Sequence, residues 1–296
     1  MVLNDELCVS VSEKLIKKAC TSISPDVLSI MKIGKSKERT ESAKNMLEAM
    51  IENAELANQL NKPLCQSPGF PTIYISFGKN ATLGNLINIL SEKMVDLTHE
   101  GYMRPSMVHP ITRKNSGDNS GPGVPNFEYN YFSDQEYIEI ILSFKGCGAE
   151  LGNRTKIFTA KQIGSDGKGL KQFLLESVIN AGGIPCPPIG LGVGIGGQLD
   201  IAAKLSRKAI SVRRWDDENE DPYLASLEAE MIDKVNKLGI GPAGIGGMTT
   251  ALAVKIEMAY THTAIAPVAV NFHCWAARRA GVQIYEDGSV NDLFGR

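Results

Sequence analysis

The stretch GLGVGIGGQLDIAAKL, residues 190–205, decides between two fold classes. It fits the pattern G-x-G-x-x-G at Gly192, Gly194 and Gly197, and a helical pattern follows, as in a dinucleotide-binding fold. That fold requires a clean strand immediately before the glycines. The preceding residues read CPPIGL and contain two prolines. The sequence therefore disfavours a doubly wound fold, and a nucleotide-dependent oxidoreductase stays open as a competing hypothesis.

Outward from this stretch, strands and helices follow one another without regular βαβ alternation, which favours an α+β fold. Helices are predicted at about 38–61, 81–101, 169–183, 198–210 and 221–239, and strands at 71–78, 136–146, 249–259 and 266–276. We expect an N-terminal helical segment, residues 1–62, followed by a mixed or antiparallel sheet with helices packed around it, residues 63–296. The two parts are expected to form one continuous domain.

Residues 103–134 are dense in Gly, Pro, Asn and Ser and predict a long irregular loop. Loops of this length inside a compact domain are uncommon and tend to be functional or disordered.

The overall composition is that of an ordinary globular protein, with 43% hydrophobic and 22% charged residues. The net charge of −2 gives no indication of nucleic acid or of an anionic membrane as a partner. No apolar run is long enough to cross a bilayer, and the charged N-terminus does not resemble a secretory signal. We therefore expect a cytoplasmic protein.

Six cysteines, at positions 8, 20, 65, 147, 186 and 274, are too few for a disulfide scaffold in 296 residues. No CxxC pair occurs, which argues against a zinc ribbon or a ferredoxin-type cluster. Cys65, Cys186 and Cys274 each lie in a Pro/Gly-rich turn or at the edge of a strand. Three thiolates from such turns can hold three irons of a [4Fe-4S] cluster and leave the fourth iron open. On spacing alone, three scattered core cysteines are the favoured interpretation, and the cluster is the alternative.

Glycine clusters and arginines supply candidate anion contacts. The clusters at 190–197 and 239–247 would offer backbone N–H groups to an anion, or else form tight turns. Arg278 and Arg279, after Cys274, are candidate carboxylate clamps, as are Arg104 and Arg113 in the long loop. The alternative for these arginines is a solvated basic surface. His109 and His262 are more typical of satisfied loop residues than of general acids.

Six stretches occur in one order along nearly the whole chain after about residue 40. They are PLCQ (63–66), RKNSGDNSGPGVP (113–125), KGCGAELGNRTKI (145–157), CPPIGLGVGIGG (186–197), LGIGPAGIGGMTTALAVKIE (238–257) and PVAVNFHCWAARR (267–279). In this order they resemble the iron–sulfur hydro-lyases of the class I fumarase and L-tartrate dehydratase type, alpha subunit or N-terminal domain.

The resemblance implies a [4Fe-4S] cluster on Cys65, Cys186 and Cys274, the three cysteines that match the ligand positions of the family. It also implies catalytic roles for Gln66, the residue at position 67 and Arg104. Substrate contacts are implied for Gly146, Gly148 and Arg278. The substrate would be a small 2-hydroxy dicarboxylate, tartrate-, malate- or methylmalate-like, dehydrated reversibly to an enoic acid or its keto tautomer.

One turn departs from the family pattern. The family reads CQDTG, with an aspartate that takes part in proton transfer, and this chain reads CQSPG. A serine hydroxyl has too high a pKa to act as an unaided base, and Pro68 removes a backbone donor. Three alternatives follow from this departure. Another group supplies the base, or the substrate differs, or the chain is a divergent cluster-binding member with lost or changed chemistry.

The resemblance also implies a partner. In the family, the rest of the active site lies on a C-terminal domain for which this sequence has no counterpart. A separate beta subunit is therefore expected, in a hetero-oligomer or dimer. GPGVP and the tryptophan of CWAARR lean towards tartrate dehydratase alpha subunits rather than fumarases.

Overall fold

The computed structural model describes residues 3–295, which form nine α-helices and nine β-strands. The helices are α1 (Asp5–Thr21), α2 (Pro25–Lys37), α3 (Glu41–Gln59), α4 (Leu86–His99), α5 (Cys147–Leu151), α6 (Ala160–Ile163), α7 (Lys168–Ala181), α8 (Leu199–Val212) and α9 (Pro222–Asn236). The strands are β1 (Phe70–Phe77), β2 (Asn126–Tyr131), β3 (Ile138–Lys145), β4 (Arg154–Thr159), β5 (Ile189–Ile195), β6 (Ala251–Met258), β7 (Ile265–His273), β8 (Arg278–Ile284) and β9 (Val290–Asp292). The predicted α+β class is confirmed. No helix in residues 3–295 is long and apolar enough to cross a membrane.

The chain divides into two compact units, each built from separate stretches of sequence. Among the described residues, the first unit contains 3–25, 53–145 and 276–295, and the second contains 26–52 and 146–275. The predicted boundary near residue 62 does not coincide with this division. Helix α1 belongs to the first unit, whereas α2 and the first part of α3 belong to the second.

The first unit contains a five-stranded sheet in the order β2-β1-β3-β8-β9. Strand β1 is parallel to β2 and antiparallel to β3, and β3 is antiparallel to β8. Helices α1 and α4 pack against each other, and their buried residues share one apolar core with the strands. The register pairs Phe70 with Lys145 and Phe144 with Arg278. The start of β1, the end of β3 and the start of β8 therefore lie at the same end of this sheet.

The second unit contains a four-stranded sheet in the order β4-β7-β5-β6, with β5 parallel to β6 and antiparallel to β7. Helix α8 packs on β5, and α9 packs on β6. Two carboxylates tie residues 26–52 to this unit. Asp26 accepts a hydrogen bond from the backbone N–H of Trp215 at 2.7 Å, and Glu38 accepts from the N–H groups of Met248 and Thr249 at 2.9 and 2.6 Å. These contacts explain why α2 belongs with a sheet that follows it by more than a hundred residues.

Strand β5 contains the first three glycines of the stretch at 190–205, Gly190, Gly192 and Gly194, so the expectation of a loop or tight turn was wrong for these three residues. A Cβ added at Gly192 would lie 2.0 Å from the carbonyl oxygen of Ser206, and one at Gly194 would lie 1.9 Å from that of Ala202. The glycines therefore allow α8 to approach the strand closely. Their backbones are paired in the sheet, which removes the main support for a nucleotide-binding loop at this position.

The other sequence expectations differ from the structure mainly at element ends. The helix predicted at 38–61 runs from Glu41 to Gln59, and the strand predicted at 71–78 runs from Phe70 to Phe77. The stretch 103–134, predicted as irregular throughout, contains strand β2 near its end. The apolar residues of β2 are few and aromatic, and the strand is stabilised by its pairing with β1. The local sequence pattern therefore did not predict this strand.

Replacing Gly194 with alanine should lower the free energy of unfolding by about 3 kcal/mol, because a methyl group cannot fit against the backbone of α8 without moving it. Gly183→Ala is the matched control, since a Cβ there meets its nearest neighbours at 3.5 Å, an ordinary contact. Urea unfolding of both variants measures the difference. Equal stability of the two variants would show that α8 does not depend on the close approach.

Candidate active site

The Cys65 turn, which we define as residues 63–69, joins α3 to β1 in the first unit. It is anchored at Leu64, a buried residue whose N–H donates to the carbonyl of Cys20 at 2.9 Å. The side chain of Asn53 donates to the carbonyl of Leu64 at 3.0 Å. With Leu64 held on both sides, the next two residues face outward. Cys65 is half-buried and Gln66 is exposed.

Arg278 provides the second anchor of this turn. Its guanidinium Nη1 donates a hydrogen bond to the carbonyl oxygen of Ser67. Arg278 is only 2% exposed, so it lies beneath the turn. The sequence predicted Arg278 as a substrate contact, but gave no indication of this backbone contact, because the two residues are far apart in the chain and meet only through the order of strands in the sheet.

The long loop that follows α4 is organised by one buried amide, Asn119. Its Oδ1 accepts hydrogen bonds from the N–H groups of Ser106 and Met107, at 2.7 and 3.3 Å. Its Nδ2 donates to Thr98 Oγ1 and to the carbonyl of Arg104, both at 3.1 Å. Asn119 has a φ of 59°, in the left-handed region that asparagine tolerates better than most residues. The backbone of Arg104 is thereby fixed while its side chain is exposed.

Neither histidine considered in the sequence has the surroundings of a general acid. The Nδ1 atom of His109 accepts hydrogen bonds from the N–H groups of Ile111 and Thr112, at 3.2 and 3.1 Å. That of His262 accepts from the N–H of Ala264 at 3.2 Å. Both rings stabilise local turns, as expected for satisfied loop residues.

In the second unit, Cys186 occupies a turn between α7 and β5. Its φ is 57°, a left-handed conformation that costs a residue with a side chain of the order of 1–3 kcal/mol. Its N–H donates to the carbonyl of Gly183 at 3.1 Å. The residue is exposed. The unfavourable backbone conformation therefore occurs at a position where the thiol is accessible to solvent. Strained, exposed residues of this kind are frequent at functional sites.

Cys274 lies next to the Cys186 turn because β5 and β7 are antiparallel. The register pairs Gly190, near the start of β5, with His273, the last residue of β7. The segment before β5 and the segment after β7 therefore lie at the same end of the sheet. The N–H of Trp275 donates to the carbonyl of Cys186 at 3.2 Å. Two of the three predicted ligands are thus brought together within one unit.

Helix α5 packs on the same two segments. A Cβ added at Gly148 would lie 2.5 Å from the carbonyl oxygen of Ile184, and Gly152 lies against Pro185 and the ring of Phe272. The Oδ1 of Asn153 accepts a hydrogen bond from the N–H of Phe272 at 2.9 Å. The predicted substrate contacts Gly146 and Gly148 therefore lie at the start of a helix that adjoins the Cys186 turn.

The second glycine cluster, residues 239–247, is a tight turn that bonds mainly to itself and its neighbours. The N–H of Gly241 donates to Thr250 Oγ1 at 3.1 Å, and that of Gly246 donates to the carbonyl of Ile240 at 2.8 Å. The N–H of Ala243 donates to the carbonyl of Pro187 at 2.8 Å. This cluster therefore packs against the segment that follows Cys186. A tight turn was one of the two interpretations of the glycines that the sequence left open, the other being an anion-binding role.

The remaining cysteines have different surroundings. Cys8 and Cys20 are buried in the core of the first unit, and Cys147 is exposed at the start of α5. Burial raises the pKa of the Cys20 thiol to about 12, with Arg278 acting in the opposite direction. Burial and the nearby Asp5 carboxylate raise the pKa of the Cys8 thiol. Both therefore stay protonated and are poor metal ligands, because metals bind the thiolate.

The three predicted ligands are divided between the units, with Cys65 in the first and the other two in the second. Among residues 3–295, neither unit by itself groups three or more His, Cys, Asp or Glu side chains as ligands of a metal ion. In donor chemistry the set fits an iron–sulfur cluster. All three are cysteines outside any disulfide bond, and thiolate sulfur is the ligand that such clusters require.

Comparison with known proteins agrees with the six stretches. The model of the fumarate hydratase (Fumerase) family matches residues 9–283. A protein of Methanocaldococcus jannaschii, provisionally named L(+)-tartrate dehydratase subunit alpha, is 41% identical over 283 residues, which cover 94% of this chain and 97% of the relative. The L(+)-tartrate dehydratase subunit alpha of Escherichia coli K12 is 32% identical over 275 residues, covering 92% of this chain and 89% of the relative. The protein of that name from Shigella boydii gives the same values.

Fold, thiol turns and relatives together define the class: the chain is an enzyme of the hydro-lyase type. It belongs to the fumarate hydratase (Fumerase) family. The resemblance inferred from the six stretches is confirmed.

The cysteines should differ sharply in reactivity in the iron-free chain. At about pH 8, a thiol pKa of about 12 in place of 9.0 reduces the thiolate fraction of Cys20 roughly a thousandfold. Iodoacetamide should therefore label the exposed Cys147 and Cys186 first and leave Cys20 unlabelled, as measured by peptide mass spectrometry. In guanidinium chloride all six should react. Labelling of Cys20 at the rate of Cys147 in the folded chain would contradict its placement in the core.

Proposed function

We propose that this chain is the alpha subunit of a [4Fe-4S]-dependent hydro-lyase that reversibly dehydrates a small 2-hydroxy dicarboxylate. The observation that carries the proposal is that the segments holding Cys186 and Cys274 lie at one end of the second sheet, where the N–H of Trp275 donates to the carbonyl of Cys186. Both cysteines match ligand positions of the family to which the chain belongs. Cys65, the third match, lies in a turn that is anchored on both sides.

In this proposal Cys65, Cys186 and Cys274 hold the cluster as thiolates. The bound cluster would supply a Lewis-acidic iron for the hydroxyl and a carboxylate of the substrate. The protein's part is to keep three soft donors deprotonated and fixed in direction. The exposed Cys186, in its strained turn, and the buried Cys274 differ in access to water, which suits a site with one open side.

The chain's other residues would bind and orient the dicarboxylate. The amide of Gln66 is exposed beside Cys65, and the guanidinium of Arg104 is exposed on a backbone held by Asn119. A fixed arginine fork is the preferred partner of a carboxylate. The N–H groups near Gly146 and Gly148 would donate to substrate oxygens. Arg278 would contribute to substrate binding indirectly, because it donates a hydrogen bond to the carbonyl of Ser67, next to Gln66.

Removal of the proton from the carbon next to the leaving hydroxyl needs a base that this turn lacks. Ser67 stands where the family has aspartate, and its hydroxyl cannot accept that proton unaided. We propose that the base comes from a separate beta subunit, since the relatives at 32–41% identity are named as alpha subunits. The working enzyme would then be a hetero-oligomer, and a reducing cytoplasmic location would keep its thiols free.

The second candidate is a cluster-binding member with changed or lost chemistry, and the specific feature that favours it is Ser67 itself. The same names favour tartrate as substrate, with malate- and methylmalate-like acids as the nearest alternatives.

Cys186→Ser should remove most of the iron bound after anaerobic reconstitution, because a hydroxyl does not replace a thiolate on iron. Cys20→Ser is the matched control and should keep its iron, since Cys20 is buried and protonated. Iron per chain and absorbance near 400 nm measure both. Equal iron in the two variants would refute the ligand assignment.

The reconstituted chain, co-expressed with a beta subunit of the same family, should dehydrate one of L-tartrate, malate or methylmalate, or hydrate fumarate or mesaconate. Loss or gain of alkene absorbance follows malate, methylmalate, fumarate and mesaconate, and a keto-acid assay follows tartrate. A full cluster with no turnover of the whole panel would favour the second candidate. A chain without a cluster that reduces a nicotinamide cofactor would support the oxidoreductase instead.

A further inference from the structure

Arg278 carries a buried charge whose surroundings are unusual. It is 2% exposed, and its Nη1 donates a hydrogen bond to the carbonyl of Ser67. In the described part of the chain, its Nε has no hydrogen-bond partner and no carboxylate forms an ion pair with it. By contrast, Arg213 in the second unit pairs with Asp217 and Glu228, both at 2.7 Å. A buried guanidinium without an anion is costly, so its position calls for a reason.

The Cys65 turn supplies that reason. Within residues 3–295, its backbone is held at two places: at Leu64, by Cys20 and Asn53, and at Ser67, by Arg278. These two anchors lie on either side of Cys65 and Gln66. Pro68, next in the chain, has no N–H with which to make a further bond. Loss of the Ser67 anchor would leave the segment fixed at one end only.

We propose that Arg278 is a positioning residue that fixes the direction of Cys65 and Gln66 by holding the carbonyl of Ser67. The roles of Cys65 as a cluster ligand and of Gln66 as a substrate contact rest on the proposed function. The cation also suits this place, because a thiolate at Cys65 would bring a negative charge two residues from the bonded carbonyl. Arg278 then acts through the turn and need not touch the substrate.

The neighbouring residue provides a matched control. Arg279 is also buried, at 1% exposed, and follows Arg278 in strand β8, so its side chain points to the opposite face of the sheet. Its guanidinium lies over the ring of Phe294 at 4.5 Å. Arg279→Gln therefore removes a buried cation from the same strand without touching the turn. Arg278→Lys keeps a charged donor, and Arg278→Gln removes the charge.

The first test uses the full iron-free chain and hydrogen exchange of the amides in residues 64–69. Removal of one charge-assisted bond to a carbonyl should speed exchange roughly 10- to 100-fold in Arg278→Gln. Arg278→Lys should restore part of the protection, and Arg279→Gln should leave these amides at the wild-type rate. Wild-type exchange in Arg278→Gln, or equal acceleration in both glutamine variants, would overturn the proposal.

The second test uses the reconstituted chain with its partner subunit. Arg278→Gln should retain less than half of the wild-type iron and raise KM severalfold, whereas Arg278→Lys should recover both; a loss confined to folding would not be rescued in this way. Unchanged iron, KM and kcat in Arg278→Gln would overturn the positioning role. If the wild-type chain binds no iron, the proposed function fails, and the exchange experiment still decides the role of Arg278.

Discussion

The backbone of helix α8 packs closely against the backbone of strand β5, and the packing of the second unit depends on this close approach. Gly192 and Gly194 leave the room that the carbonyl oxygens of α8 occupy. Strand β5 lies between β6 and β7 in the sheet and packs against α8. Its antiparallel pairing with β7 then sets Cys186, before the one strand, beside Cys274, after the other. Cys186 and Cys274 are far apart in the sequence, and it is the pairing of β5 with β7 that brings their two segments together.

Buried polar groups direct the irregular segments in both units. Asn119 fixes the backbone of Arg104, and Arg278 holds the carbonyl of Ser67. Glu38 accepts two N–H groups of the segment that follows the second glycine cluster. Each group makes at least one hydrogen bond to main-chain atoms of a loop. Since an unpaired buried polar group costs about 1–3 kcal/mol, each such contact favours one loop conformation over the alternatives. The candidate site is therefore built from loops that a few buried side chains keep in place.

In the proposed function, the serine at position 67 separates binding from proton transfer. The residues proposed to bind a cluster and a dicarboxylate are cysteines, an amide, arginines and backbone N–H groups, and this chain has all of them. The aspartate that the family uses in proton transfer is the one element replaced. A protein that keeps the first set and lacks the second is suited to a base from another subunit or to a changed substrate. The anchored carbonyl shows that the turn is still held at this position.

The sequence by itself determined the family, the α+β class, most helices and four of the nine described strands, because the amphipathic and β-branched patterns and the six ordered stretches are local. It also singled out Cys65, Cys186 and Cys274 by their turns. Only the tertiary structure showed that Gly192 and Gly194 lie inside a strand, that residues 26–52 belong with the second sheet, and that Arg278 holds Ser67. These facts depend on which backbone packs against which, and on strand order and register. Such long-range pairings leave no periodic trace in a single sequence.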